Sequence, residues 1–330
     1  MQLNFPLFPD QASTVASQVD ALYYFLVAVS SFFSALIFFL VIYFAVKYRQ
    51  RSEIDQPAPI LSDLRLEVLW TVIPLVLVMI MFAWGASLFF HIRRPPAEAI
   101  EIYVVGKQWM WKLQHPQGQR EVNELHVPVG RPVKLTMTSE DVIHSFYIPA
   151  FRIKMDALPG RYTTAWFEAT QVGEYHLFCA EYCGTQHSGM IGRIVVMEPA
   201  QYQQWLSGNA NTGGSTGGNG RAGSGQSLAS VGAQLFQQLR CHTCHVPNGV
   251  STGPTLVGLF GKSVPLQTGE TVTADEDYVR ESILNPAAKI VARYHAVMPT
   301  YTGQVSEEGL VQLIAHLKSL EPAERTQAER

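Results

Sequence analysis

Two long stretches without Asp, Glu, Lys or Arg constrain this chain more than any other feature: Ala21–Val46, of 26 residues, and Val68–Ile92, of 25. A helix crossing the roughly 30 Å hydrocarbon core of a bilayer needs about 20 such residues. Both runs meet that length and predict a transmembrane hairpin over 21–92, with spans at about 21–46 and 68–92. Pro74 falls near the start of the second run, where the first helical turns tolerate it. A signal peptide is the rival for the first run. Its preceding residues carry Asp10 and Asp20 with no Lys or Arg, and no small-residue cleavage site follows. Lys47, Arg49, Arg51 and Arg65 lie between the runs, and residues 1–20 hold no Lys or Arg. The positive-inside rule places loop 47–67 in the cytoplasm. Segment 1–20 and everything after Ile92 are then extracytoplasmic.

The remaining composition agrees. Charged residues make up 15% of the 330, against about 25% in an ordinary soluble domain. The formal net charge is −3 and no segment is strongly basic, so nucleic acid is not an expected partner. Residues 93–203 read as short strands: EIYVVG, RPVKLTMTS, YTTAWFEA, EYHLFCA and RIVVME are rich in β-branched and aromatic residues. They predict a small all-β sandwich or barrel. Residues 204–227 are a linker, with eight Gly between 208 and 225. Such a chain is a flexible coil, spanning roughly 25 Å for about 20 residues. Residues 228–330 carry helical apolar spacing in SVGAQLFQQL and SEEGLVQLIAHLKSLE, and Ser306 is placed to cap the second helix.

The four cysteines fall in two tight pairs. CHTCH, Cys241 to His245, is the attachment pattern of a c-type haem. Both thiols bond the haem, His245 ligates the iron on one face, and Met298 is the candidate for the other. A zinc site needs a second ligand pair that His295 and His316 do not supply at the usual spacing. A redox dithiol belongs in a βαβ context that this helical segment lacks. The second constellation is CAEYCGTQHSGM: Cys179, Cys183, His187 and Met190 fall within 12 residues. Thiolates, an imidazole and a thioether together select copper, and His144 in DVIHSFYIP is the best distant partner. Two Cys with two His and a Met can hold two bridged ions. An extracellular Cys179–Cys183 disulfide is the alternative. His91, His115, His126 and His176 read as ordinary packed or surface residues. Trp109 and Trp111 alternate about Met110 and are expected on one face of a strand.

These motifs resemble subunit II of haem-copper cytochrome c oxidases, in the caa3-type form with a cytochrome c domain fused at the C-terminus. The carriers are C-x-E-x-C-x3-H-x2-M (Cys179, Glu181, Cys183, His187, Met190), the upstream His144, GKQWMW, KMDALPGR at Lys154–Arg161 and EVLWTVIP. The resemblance implies a two-helix hairpin, a cupredoxin-like Greek-key barrel and an all-α cytochrome c domain. It implies a dinuclear copper centre (CuA) with both sulfurs bridging, His144 and His187 terminal, Met190 a weak ligand and Glu181 binding through its carbonyl. The Glu181 carboxylate is expected to reach a Mg²⁺ shared with subunit I. Trp109 is the implied electron entry point and Glu67 the implied entrance of a proton path. Met110 departs from the Tyr that many members carry.

The expected function is an electron relay in a bacterial inner membrane. An external donor, a cytochrome c or a bc1-type complex, reduces the haem. CuA takes the electron and passes it to subunit I, where oxygen is reduced and protons are pumped. A quinol oxidase subunit would lack the copper ligands. An electron-input subunit of a nitric oxide reductase and a membrane-anchored redox sensor or copper-delivery protein are the other readings.

Overall fold

The computed structural model describes residues 8–52, 63–208, 226–247 and 251–320. Most of the expected linker, residues 209–225, lies outside these, as do 53–62 of the loop between the apolar runs.

Helices α1 (Ala16–Lys47) and α2 (Leu64–Arg93) carry the two runs. Their apolar side chains are exposed all round, with Phe39 and Val46 each at 66%. A helix without a polar face belongs in lipid. The Phe25 and Trp84 rings meet at 5.5 Å across the pair. α2 begins four residues earlier than its apolar run, because Asp63 caps it by accepting a hydrogen bond from the Arg65 amide at 3.0 Å. Pro74 therefore sits well inside α2 rather than in its first turns, and the helix continues through it. Membrane helices accommodate such a proline.

The β domain is built from ten strands in two packed five-stranded sheets. The first is β3-β2-β1-β5-β8, from β1 (Ile100–Lys107), β2 (Met110–Gln114), β3 (Arg120–Val122), β5 (Pro132–Ser139) and β8 (Thr163–Glu168). The second is β4-β10-β9-β6-β7, from β4 (Glu124–Pro128), β6 (His144–Ile148), β7 (Ile153–Ala157), β9 (Gly173–Cys179) and β10 (Ile191–Met197). β1 runs parallel to β5 and β4 parallel to β10, so the chain crosses between sheets rather than meandering. Ile102, Val104, Leu135, Phe146, Phe167 and Ile194 fill the space between them, all fully buried. β1 and β2 pair Lys107 with Met110, so the turn is Gln108–Trp109. Trp109 therefore lies in the turn and not on a strand face shared with Trp111, which is fully buried in β2.

Helix α3 (Pro199–Leu206) closes the base of this domain. Its Tyr202 hydroxyl meets His115 Nδ1 at 3.2 Å, and Trp205 stacks on His126 at 4.6 Å. Glu121 holds both imidazoles, so His115 and His126 serve packing.

The C-terminal domain contains α4 (Leu228–Gln238), α5 (Glu276–Leu284) and α6 (Glu307–Ser319). A short ribbon of β11 (Ser263–Pro265) and β12 (Thr271–Thr273) is added to these helices. α4 crosses α6 at Gly232, where a Cβ would lie 1.9 Å from the Gln312 carbonyl oxygen. Ser306 caps α6, accepting from the Gly309 amide at 3.2 Å.

This domain rests on the outer face of the β1–β5–β8 sheet. Lys318 of α6 bonds both Glu101 carboxylate oxygens of β1 at 2.8 Å and Glu276 of α5 at 2.7 Å. Lys134 of β5 lies 2.9 Å from Glu101 and 3.4 Å from Glu276. Arg280 donates to the Gly160 carbonyl at 2.6 Å, and the Tyr162 amide donates to Asp277 at 2.7 Å. Tyr103 and Tyr162 are buried against the apolar cluster of the helical domain. Burial alone would raise the Glu101 carboxyl, but the ammonium groups of Lys318 and Lys134 outweigh it and hold it down at about 2.

Candidate functional site

Three pieces of backbone converge at one end of the β domain. β6 begins with His144, β9 ends with Cys179, and the loop from β9 to β10 supplies Cys183, His187 and Met190. Pairing of Phe146 with Cys179 sets the register between β6 and β9. The Ala180 amide donates to the Ser145 carbonyl at 2.9 Å, and the Cys179 amide to the Met190 carbonyl at 3.2 Å. These bonds fold the loop back over its own start.

The result is a ring of soft donors. The Cys179 and Cys183 sulfurs lie 3.7 Å apart and are not bonded to each other. Cys183 Sγ is 3.6 Å from His187 Nδ1 and 3.8 Å from Met190 Sδ. Cys179 Sγ is 3.2 Å from the Glu181 carbonyl oxygen. A ring nitrogen of His144 joins both sulfurs within 4.8 Å. Cys179, Cys183, His144 and Met190 are buried.

His144 carries the clearest sign of a missing partner. Its Nε2 is hydrogen-bonded to Asp141 Oδ1 at 2.8 Å, while its buried Nδ1 has no partner at all. A buried unpaired nitrogen is costly unless something occupies its lone pair. With Nε2–H donated to the carboxylate, Nδ1 is the lone-pair nitrogen, ready for a metal. Burial pushes the Cys179 thiol up, but the neighbouring His144 imidazole, the backbone at Ser145 and Glu181, and His187 bring it down to about 6. Burial and the neighbouring Cys179 sulfur push Cys183 up to about 12. Among protein charges alone, the pair accepts one negative charge readily and resists a second. A cation between the sulfurs removes that resistance. The donor set, the burial and the orphaned nitrogen fit copper.

Residues that sequence reasoning missed hold this ring in place. Asp141 takes the Gln108 amide at 2.8 Å as well as His144. The Gln108 side chain donates to the Cys183 carbonyl at 2.8 Å, which ties the β1–β2 turn to the ligand loop. Trp109 lies beside that loop, with its Cζ2 at 3.3 Å from where a Gly184 Cβ would be. At Gly106 a Cβ would meet His144 Cδ2 at 2.8 Å, so only glycine lets the imidazole lie on β1. The acidic residue three positions before His144 was the one signal available for any of these.

The second candidate site is a cavity of about 530 Å³ in the helical domain, lined by Cys241, Cys244, His245, Met298, Phe236 and Leu313 among others. Cys241–Thr243 form a short helical turn, and the His245 amide donates to the Cys241 carbonyl at 3.0 Å. His245 Nδ1 donates to the Pro254 carbonyl at 2.8 Å, which makes Nε2 the nitrogen available to a ligand. Gly253 is buried against this ring, its Cβ position 2.8 Å from His245 Cε1. Both thiols are free. The apolar, thiol-lined cavity fits a covalently attached haem. His295 lines the cavity beside Met298 and is exposed. Glu67 stands in the first turn of α2, half-buried.

Three segments of the chain match known protein families. Residues 1–87 match the transmembrane domain of cytochrome c oxidase subunit II, residues 117–198 its periplasmic domain, and residues 229–321 cytochrome c. Cytochrome c oxidase subunit 2 of Alkalihalophilus pseudofirmus is 30% identical over 299 residues, covering 87% of this chain and 82% of the relative. The chain belongs to the cytochrome c oxidase subunit II family. Cytochrome c oxidase subunit 2 of Thermostichus vulcanus is 28% identical over 253 residues, covering 60% of this chain and 77% of the relative. The crystallised periplasmic domain of subunit II of Bradyrhizobium japonicum cytochrome oxidase is 32% identical, with TM-score 0.34, covering 34% of this chain and 95% of that one. As a subunit II with a cytochrome c domain, the chain is a membrane-bound part of an oxidoreductase. The subunit II domain implies copper and the cytochrome c domain implies haem c.

Proposed function

We propose that this chain is the electron-input subunit of a proton-pumping cytochrome c oxidase in a bacterial inner membrane, with both termini and both redox domains on the extracytoplasmic side. Its partners are subunit I and the other oxidase subunits, and its donor is a cytochrome c or a bc1-type complex. Dinuclear copper in the β domain and haem c in the helical domain supply reversible one-electron chemistry.

The residues carry distinct tasks. Cys179, Cys183, His144, His187, Met190 and the Glu181 carbonyl would hold the copper. Asp141 fixes the His144 tautomer and Gly106 its ring plane. Cys241 and Cys244 would tether the haem, and His245 and Met298 would ligate its iron. Burial of Cys179, Cys183, His144 and Met190 would exclude water from the copper and limit rearrangement between oxidation states. Trp109 stands where an electron enters the copper loop. The exposed Glu181 carboxylate is free to reach a Mg²⁺ at the subunit I interface. Glu67 opens the proton path.

The observation that carries this reading is the buried ring of two sulfurs, thioether and imidazole, closed by the unpartnered His144 Nδ1. The test is a reduced-minus-oxidised spectrum of the complex purified through a tag on this chain, with oxygen uptake measured alongside. A haem a band beside the c-type band is expected. Cys183→Ser is expected to leave haem c reducible and to cut oxygen uptake at least 100-fold. Unchanged uptake in that variant would refute the electron path. A b-type band without haem a would favour a nitric oxide reductase, and a c-type band alone a sensor or copper-delivery protein.

A further inference from the structure

Met298 lies in segment 295–305, which forms neither helix nor strand. Among the described residues no hydrogen bond holds Met298 itself. A ligand on such a segment is aimed by whatever fastens the residues beside it. The fastening begins two residues on. The Thr300 and Thr302 hydroxyls both donate to the Leu284 carbonyl, at 2.6 and 2.7 Å. The Tyr301 amide donates to the Ile283 carbonyl at 3.2 Å. Ile283 and Leu284 end α5, so their carbonyls have no partner within that helix. The methionine segment is thus bonded to a helix end that offers spare acceptors.

The thiol segment is reached by one group. The Tyr301 hydroxyl donates to the Leu239 carbonyl at 3.0 Å. Leu239 closes α4 and stands two residues before Cys241, where the CHTCH turn begins. Among the described residues this is the one hydrogen bond between 294–305 and 239–247. Tyr301 lines the cavity together with Cys241, His245 and Met298. Its backbone belongs to the methionine segment and its side chain is bonded to the thiol segment. The separation of those two segments is the width into which an iron ligated from both must fit. We propose that Tyr301 is the positioning residue for Met298: by bridging to Leu239 it sets how firmly the thioether is presented to a haem iron. The proposal rests on the cavity holding haem c with Met298 as a ligand. Tyr301 acts through the segment it fastens, so its loss weakens the sixth ligand and leaves the thioether tethers and His245 in place. Met/His ligation raises a haem potential, so a loosened thioether lowers it.

The test uses the full chain purified in detergent with its haem attached. Imidazole is titrated into the ferric protein, where it competes with Met298 for the iron. Binding is followed at the c-type haem band and at the weak red charge-transfer band that marks sulfur ligation. Tyr301→Phe keeps the ring and removes the bridge. It is expected to tighten imidazole binding about two- to tenfold, the weight of one hydrogen bond, and to lower the midpoint potential. Ser306→Ala removes a hydrogen bond of similar weight from the α6 cap, at a residue that does not line the cavity. It is expected to leave the imidazole affinity and the potential unchanged. Thr300→Val, which removes a bond from the same segment to α5, gives a smaller tightening and serves if Tyr301→Phe holds too little haem to titrate. Unchanged imidazole affinity in the titrated variant would overturn the proposal. So would an equal tightening in Ser306→Ala, because the effect would then be one of stability alone. The underlying reading fails separately: a Met298→Ala chain that keeps the charge-transfer band would refute Met298 as the ligand, and absence of a c-type band would refute the haem.

Discussion

At the scale of single residues, the proposed copper site divides into atoms placed to bind and atoms that aim. The candidate donors were legible because Cys179, Cys183, His187 and Met190 share one loop and form an unusual donor set. The aiming atoms were not, because Gly106, Gln108 and Asp141 reach the site only through the tertiary fold. Their effect is measurable. Asp141→Asn keeps the shape and removes the charge that orients His144, 2.8 Å away. It is expected to weaken copper binding roughly 10–100-fold, read by competition with a chelator. In Gly106→Ala the new methyl stands 2.8 Å from His144 Cδ2, and neither β1 nor β6 can retreat within a packed sandwich. A loss of about 1–3 kcal/mol in unfolding free energy is expected, together with substoichiometric copper by elemental analysis.

At the scale of elements, legibility followed the strength of the local pattern. α1, α2, α4 and α6 were read from apolar runs or helical spacing, and the Ser306 cap from residue type alone. β1, β5, β8, β9 and β10 were read from β-branched and aromatic content. β6, led by the candidate ligand His144, and β7 escaped because they are only five residues each. α5 escaped because its sequence EDYVRESIL is mostly polar: three of its nine residues are acidic and it gains its place by capping and ion pairing. Two substitutions separate cap from packing in the helical domain. Ser306→Ala removes one hydrogen bond and is expected to cost about 1 kcal/mol. Gly232→Ala puts a methyl 1.9 Å from the Gln312 carbonyl, forces α4 off α6 and is expected to cost about 3 kcal/mol or more. Guanidinium unfolding followed at the haem band ranks the two; equal costs would mean the crossing is looser than the structure shows.

At the scale of the whole molecule, the question is what holds the helical domain on the β domain once the linker is cut. The contacts join residues 115 to 217 apart in sequence, so no local pattern announced them. Four charged groups, Glu101, Lys134, Glu276 and Lys318, form the centre, and their side chains retain only 21–25% exposure. Partly buried pairs of this kind are screened less by salt than surface pairs. Removing one member leaves the others uncompensated, at a cost below the roughly 3–5 kcal/mol of a fully buried pair. The sign of the pH dependence follows from Glu101. Its carboxyl is held at about 2 by the lysines despite burial, below the ordinary 4.5 of the undocked group. Its contribution is therefore complete above about pH 4.5 and lost as pH falls toward 2, when the carboxylate protonates and both lysines lose a partner. Glu276 is lowered against its burial by the same two lysines, so it adds in the same direction. With a protease site placed in residues 209–225 and the linker cleaved, the helical domain is expected to co-elute with the membrane complex at pH 7 and low salt. It is expected to separate in part in high salt or near pH 3, and fully in Lys318→Gln or near pH 2. Haem-to-copper transfer after cleavage should follow the same conditions. Separation at pH 7 and low salt would show that the linker, and not this interface, keeps donor and acceptor together.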